Sequence, residues 1–130
     1  MRTDHMPSDS EERNRAARLM TLVVARAFDV PRESLMAKSR SRANIAFARQ
    51  VAMYLMHVVF GQSLKDVGEA FGRERTTVAY ACSLVEDERD DLAFDQKLDT
   101  LEDMLGRLWA IERLRMNSLK KSERQDQVAA

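Results

Sequence analysis

The run Arg73-Glu74-Arg75-Thr76-Thr77 sets two fixed cations and two hydroxyl groups within five residues. A guanidinium is a planar fork of donors that fits paired acceptors, whether on a phosphate or on a guanine edge, and a threonine methyl fits a thymine methyl. This is the chemistry of recognition. Glu74, between the two arginines, could cap a helix, accept from a cytosine amino group or orient its neighbours. A second run, Lys38-Ser39-Arg40-Ser41-Arg42, mixes cations with hydroxyls, and by itself it reads equally as a solvated loop or a set of phosphate donors.

Bond-making chemistry finds less support. His57 lies in an apolar run with no metal-type partner at helical spacing, and His5 stands in the polar start. Cys82, the single cysteine, fits an apolar helix face better than a nucleophile's role. The acidic run Glu86, Asp87, Glu88, Asp90 and Asp91 lacks the alternating oxygen spacing of a calcium loop. The residues therefore predict no metal, no cofactor and no enzyme.

The elements that would position the first run read as helices. Ser63 can cap a short helix in which Leu64, Val67 and Phe71 point one way, and Gly72 permits a turn. From about Glu74 to Glu88, Val78, Ala81, Cys82 and Val85 repeat at helical spacing, leaving Arg75, Thr76, Ala79 and Ser83 towards solvent. Two short helices joined by a tight glycine turn, the second carrying Arg, Thr and small residues on its exposed first half, have helix-turn-helix form.

The rest of the chain frames this pair. A first helix is expected from about Ser10, with Leu19, Leu22, Val23, Ala27 and Ala16 on its core face and Arg15, Arg18 and Arg26 on its polar face. A short helix near Pro31 to Ala37 follows, then a helix from Ala43 to Phe60, apolar so far around that it should be central, with Gly61 ending it. A long helix from about Phe94 to Leu119 carries Leu98, Leu101, Leu105 and Leu108, which could form a core stripe or a dimer seam. Residues 1 to 8 and 120 to 130 are expected to be flexible, with a DNA-binding unit over 9 to 91 and the docking or oligomerising helix over 92 to 119.

Composition agrees with an all-α helical bundle: 130 residues suit one domain, and 4 Gly and 2 Pro leave little to punctuate strands. One cysteine excludes an intramolecular disulfide, no stretch has the length of a membrane-spanning helix, and the start is too polar for a secretory signal, so a cytoplasmic location is expected. The net charge of zero hides a polarity. Residues 32 to 80 hold 8 Lys/Arg against 4 Asp/Glu, whereas residues 81 to 103 hold 2 against 9.

The motifs Ala48-Arg49-Gln50-Val51-Ala52-Met53-Tyr54-Leu55, Ser63-Leu64-Lys65-Asp66-Val67-Gly68-Glu69-Ala70-Phe71-Gly72, Thr76-Thr77-Val78 and Ala81-Cys82 occur in an order that resembles the C-terminal DNA-binding domain of the bacterial replication initiator DnaA. The resemblance spans roughly residues 22 to 105. It implies a recognition helix in the major groove, with Arg73, Glu74, Arg75, Thr76 and Thr77 at its start, and a basic loop at the minor groove. It gives Lys38, Arg40, Arg42 and Arg49 minor-groove or phosphate roles, and it sets Gln50, Ser63, Leu64 and Lys65 near the DNA backbone. The chain departs from the family at one place. Where the family has two glycines and then Arg-Asp-His-Thr-Thr, this sequence has one glycine and Arg73-Glu74-Arg75-Thr76-Thr77, so its preferred site is expected to be a relative of the initiator's box.

The initiator also carries an ATPase module, for which this chain has no GxxxxGKS/T loop and little room upstream, so no nucleotide cofactor is expected. Together these readings predict a sequence-preferring double-stranded DNA-binding protein that regulates replication initiation or transcription by occupancy, nucleoid-associated and without a membrane. The alternative is an interaction module whose C-terminal helix binds a protein partner or a second copy.

Overall fold

The computed structural model describes residues 6–38 and 42–129. Among them the chain forms α1 (Met6–Phe28), α2 (Arg32–Leu35), α3 (Ala43–Val58), α4 (Leu64–Phe71), α5 (Arg75–Glu88) and α6 (Leu92–Ala129). No strand occurs among the described residues, so the all-α expectation is met.

The centre is α3. Six consecutive residues, Val51 to Met56, are buried, which is the all-round apolar character expected of this helix. On one side α3 receives α1 and on another α5, while α2 and α4 close the remaining flanks and α6 crosses α1. Aromatic rings lock these junctions: Phe47 meets Phe28 at 6.2 Å and Phe94 at 5.5 Å between centroids, and Phe60 meets Trp109 at 5.3 Å. Such pairs add to area burial because ring edges carry the opposite partial charge to ring faces.

Two expected boundaries move. The first helix begins at Met6, not Ser10, because Pro7 is tolerated in a first turn whose N–H groups have no acceptor. The last helix begins at Leu92, where Asp91 Oδ1 accepts from the Phe94 N–H at 3.1 Å, and it runs to Ala129 in place of Leu119. Residues 113 to 129 consist largely of strong helix formers without Gly or Pro, so polarity alone supplied no stop. The short helix is Arg32–Leu35, inside the expected span.

The inward face of α1 is also rotated from expectation. Ala16, Met20, Val24 and Ala25 are buried, Leu19, Val23 and Ala27 flank them half-buried, and Leu22 is 48% exposed. Two stripes compete on this helix, and the one containing Met20 packs on α3 and α6. Leu98, Leu101 and Leu105 of α6 belong to the common core, which decides for a core stripe over a dimer seam at those positions.

Candidate nucleic-acid interface

The two short helices meet as the sequence requires. Ser63 Oγ accepts from the Asp66 N–H at 3.0 Å and starts α4, and Gly72 ends it at φ +66°, a backbone conformation that an L side chain rarely adopts. Gly68 serves a different purpose: a Cβ there would stand 2.5 Å from the Arg73 carbonyl oxygen, so only glycine lets α4 lie this close to the turn. Val67 and Phe71 of α4 and Val78, Ala81 and Val85 of α5 are buried against α3. That burial turns Arg75, Thr76, Thr77, Tyr80 and Ser83 outward.

Glu74 occupies the N-cap position of α5 without a side-chain cap bond; its carbonyl accepts from the N–H groups of Thr77 at 3.0 Å and Val78 at 3.2 Å. Its capping role is thus filled by backbone, and its exposed carboxylate is left to the other two readings. Tyr80 was missed from sequence. It is 64% exposed one turn beyond Thr76 on the same face of α5, and the i, i+4 spacing was the available signal.

Arg73 joins the turn to the segment that leads into the basic run. Its Nη1 donates to the carbonyls of Phe71 at 2.7 Å and Ala37 at 3.2 Å, so one guanidinium spans both segments. Lys38 lies over Gly72, where an added Cβ would come within 2.6 Å of its Cε. Arg42 stands exposed at the N-cap of α3. Arg40 lies outside the described residues.

Arg49 is the most deeply set of the expected contact residues. It is 5% exposed, its Nε donates to the Leu35 carbonyl at 2.9 Å and its Nη2 to the Ser34 carbonyl at 2.5 Å. The guanidinium therefore satisfies two carbonyls at the end of α2, beside the segment that leads to Lys38. Burial, and then the nearby Arg73 cation, lower its pKa from the ordinary arginine value. Gln50 is half-buried beside it, whereas Ser63 and Lys65 are exposed at the first turn of α4 with Leu64 half-buried between them. The N–H groups of such a first turn lack intrahelical acceptors and favour anions.

Other reactive side chains have structural duties. His57 Nδ1 hydrogen-bonds the Gln62 carbonyl at 2.7 Å, and burial followed by the Glu86 charge pushes the Cys82 thiol pKa up, away from reactivity. Among the described residues no group of three or more His, Cys, Asp or Glu is placed to hold a metal ion, and no helix is long and apolar enough to cross a membrane.

At the far end of α5 a different cluster sets the position of α6. Arg89 Nε donates to Asp95 at 2.6 Å, Nη1 to Glu102 at 2.7 Å and to Tyr54 Oη at 3.0 Å, and Nη2 to Asp99. Burial alone would lower the Arg89 pKa, but these acceptors outweigh it and raise it. The expected acidic segment is thus partly folded around one cation.

Fold and site together define an all-α helix-turn-helix module whose turn is tied to the segment leading into a cationic run. Residues 18–85 match the family model described as the bacterial dnaA protein helix-turn-helix. The chain is 39% identical over 98 residues to the chromosomal replication initiator protein DnaA of Synechococcus sp. (strain JA-2-3B'a(2-13)), covering 74% of this chain and 21% of that one. It is 43% identical over 75 residues to the initiator protein DnaA 2 of Chlamydia trachomatis, covering 56% of this chain and 16% of the relative. Among solved structures, a replication initiator DnaA bound to AMPPCP and single-stranded DNA superposes with a TM-score of 0.69 at 27% identity, over 82% of this chain and 32% of that one. The chain belongs to the bacterial DnaA helix-turn-helix family, and it spans about a fifth of the length of the initiators it matches.

Proposed function

We propose that this chain binds double-stranded DNA with sequence preference and regulates replication initiation or transcription by occupying its sites, without hydrolysing ATP and without other catalysis. The observation that carries the reading is the Arg73 bridge: one guanidinium ties the turn before the exposed start of α5 to the Ala37 carbonyl, next to Lys38 at the head of the basic run. Lys38, Arg42, Lys65 and Arg75 supply salt-sensitive phosphate attraction, and Arg40 belongs to the same loop by sequence. Arg75, Thr76 and Thr77 supply base discrimination from the major groove, with Arg75 suited to a guanine edge and Glu74 to a cytosine amino group or to orienting its neighbours. Arg73 ties the turn to the segment after α2, and Arg49, bonded to the same segment, keeps the minor-groove or phosphate role that its family motif implies. Nucleoid association follows from the same chemistry.

The test is selection of bound duplexes from a random pool, followed by fluorescence anisotropy titration of the winner against a scrambled duplex at fixed salt. The expected result is at least a ~10³-fold preference for the selected site. Equal affinity for both would overturn sequence preference, and no binding to either would overturn DNA binding.

A second reading, a protein-interaction module acting through α6, is supported by Ile111 and Leu114, which point to solvent on the outer half of that helix. Under it the titration shows weak binding with no preference.

A further inference from the structure

Arg15, Arg18, Leu22 and Arg26 fall at intervals of three and four along α1 and so share one stripe. Two further arginines border it from neighbouring elements, Arg32 of α2 and Arg115 of α6. Arg15 and Arg115 both reach Glu112, at 2.7 and 2.8 Å, which fastens α6 over α1 and brings Arg115 to the edge of the stripe. Arg18, Arg26 and Arg32 are exposed, and none holds an ion pair among the described residues. What marks this surface is its guanidinium groups, since arginine is enriched at protein contacts, where it contributes both stacking area and directed hydrogen bonds around an apolar centre such as Leu22.

The complement is carried at the α5–α6 corner of the same molecule. Leu92 is 70% exposed, and the residues leading into it include Asp87, Glu88 and Asp90, all exposed and without an ion pair among the described residues. The other carboxylates nearby, Asp95, Asp99 and Glu102, are committed to Arg89, which makes the corner rigid. A net charge of zero thus conceals a cationic stripe and an anionic corner, each beside an exposed leucine.

We propose that the arginine stripe around Leu22 docks on the acidic corner around Leu92 of a second copy of this chain, head to tail. The two surfaces differ, so the contact is heterologous. Such contacts leave one free end at each terminus and extend into rows unless the rotation closes a ring. The stripe lies on α1 and the acidic corner at the C-terminal end of α5, whereas a duplex would meet the N-terminal end of α5, so a row of copies is compatible with neighbouring sites on DNA. A nucleic acid would meet the arginines but would find Leu22 and the Glu112 carboxylate between them, which favours a protein occupant.

Sedimentation velocity of the full chain without DNA tests this independently of duplex binding. At low salt the weight-average mass should rise with concentration beyond a dimer, and association should weaken at least ~10-fold at about 0.5 M salt, where the Debye length shrinks to a few ångströms. Arg18→Glu/Arg26→Glu and Asp87→Lys/Asp90→Lys should each be monomeric, and their mixture should give a one-to-one dimer, because each keeps one intact surface. Leu22→Lys offers the same loss of association with a smaller change. A wild-type chain that stays monomeric at low salt overturns the proposal, as does association unaffected by these variants. If the arginine variants leave self-association intact and weaken duplex binding, the stripe is a nucleic-acid surface and the proposal fails.

Discussion

The Arg73 guanidinium is hydrogen-bonded to the Ala37 carbonyl across 36 residues of sequence, which ties the segment after α2 to the helix-turn-helix. Arg73→Met should cost about 1–2 kcal/mol of stability, since two carbonyls lose a charged donor. It should also weaken binding to selected and scrambled duplexes by similar factors, because the loop loses its placement. Arg73→Lys keeps the charge but replaces the two in-plane N–H directions of Nη1 with a freely rotating ammonium of different reach. Anisotropy titration of the two variants separates placement from charge: an affinity restored to wild type by lysine would show that charge alone matters.

Two glycines predict opposite signs. Gly68→Ala sets a Cβ 2.5 Å from the Arg73 carbonyl and should destabilise by about 2 kcal/mol or more as α4 is pushed from the turn. Gly106, inside α6 and exposed, has nothing within 4 Å of an added Cβ, and Gly106→Ala should stabilise by about 0.5–1 kcal/mol. Urea denaturation of both reads the contrast. Equal effects would mean that the close approach at Gly68 is absent in solution.

The helix-turn-helix could be read from the spacing of Val67, Phe71, Val78, Ala81 and Val85, because a two-helix unit facing one core leaves its periodicity in the sequence. The family motifs then gave the site its neighbours. What escaped depends on contacts between distant residues. Arg49 sits next to Gln50 in an apolar helix and carries the charge of a surface residue, and its burial depends on the distant carbonyls at the end of α2. Arg89, inside an acidic run, reads as solvated until α6 brings Asp95, Asp99 and Glu102 around it. Leu22 reads as core because leucine is a stronger apolar signal than the Met20 that replaces it inside.

The Tyr54 phenol is pushed up to about 12, chiefly by burial, with Glu86 and Glu102 adding to it and the Arg89 hydrogen bond opposing. The folded state holds this proton more tightly than the unfolded chain, whose phenol titrates near 10. Its contribution is therefore whole below about pH 10 and is lost as pH rises through about 12. Tyr54→Phe should lower stability at neutral pH by about 1 kcal/mol, as Glu86 and Arg89 lose a partner, and should flatten the decline between pH 10 and 12. Chemical denaturation across that window checks it, and an unchanged slope would place the alkaline titration elsewhere.

Arg75 and Lys65 are both exposed cations on the helix-turn-helix, yet they stand at different ends of it and should differ in kind. Lys65, in the first turn of α4, has the reach of a flexible point charge towards phosphate. Lys65→Ala should therefore weaken all duplexes alike and reduce the salt slope by about one unit in log Kd against log salt. Arg75 opens α5 with Thr76 and Thr77 beside it, where a planar fork can meet two acceptors on one guanine. Arg75→Ala should cost about 1–3 kcal/mol on the selected site and much less on a scrambled duplex, relaxing preference at one base pair. Titrations at several salt concentrations distinguish them: equal losses on both duplexes for Arg75→Ala would make Arg75 a phosphate contact and leave base discrimination to Thr76 and Thr77.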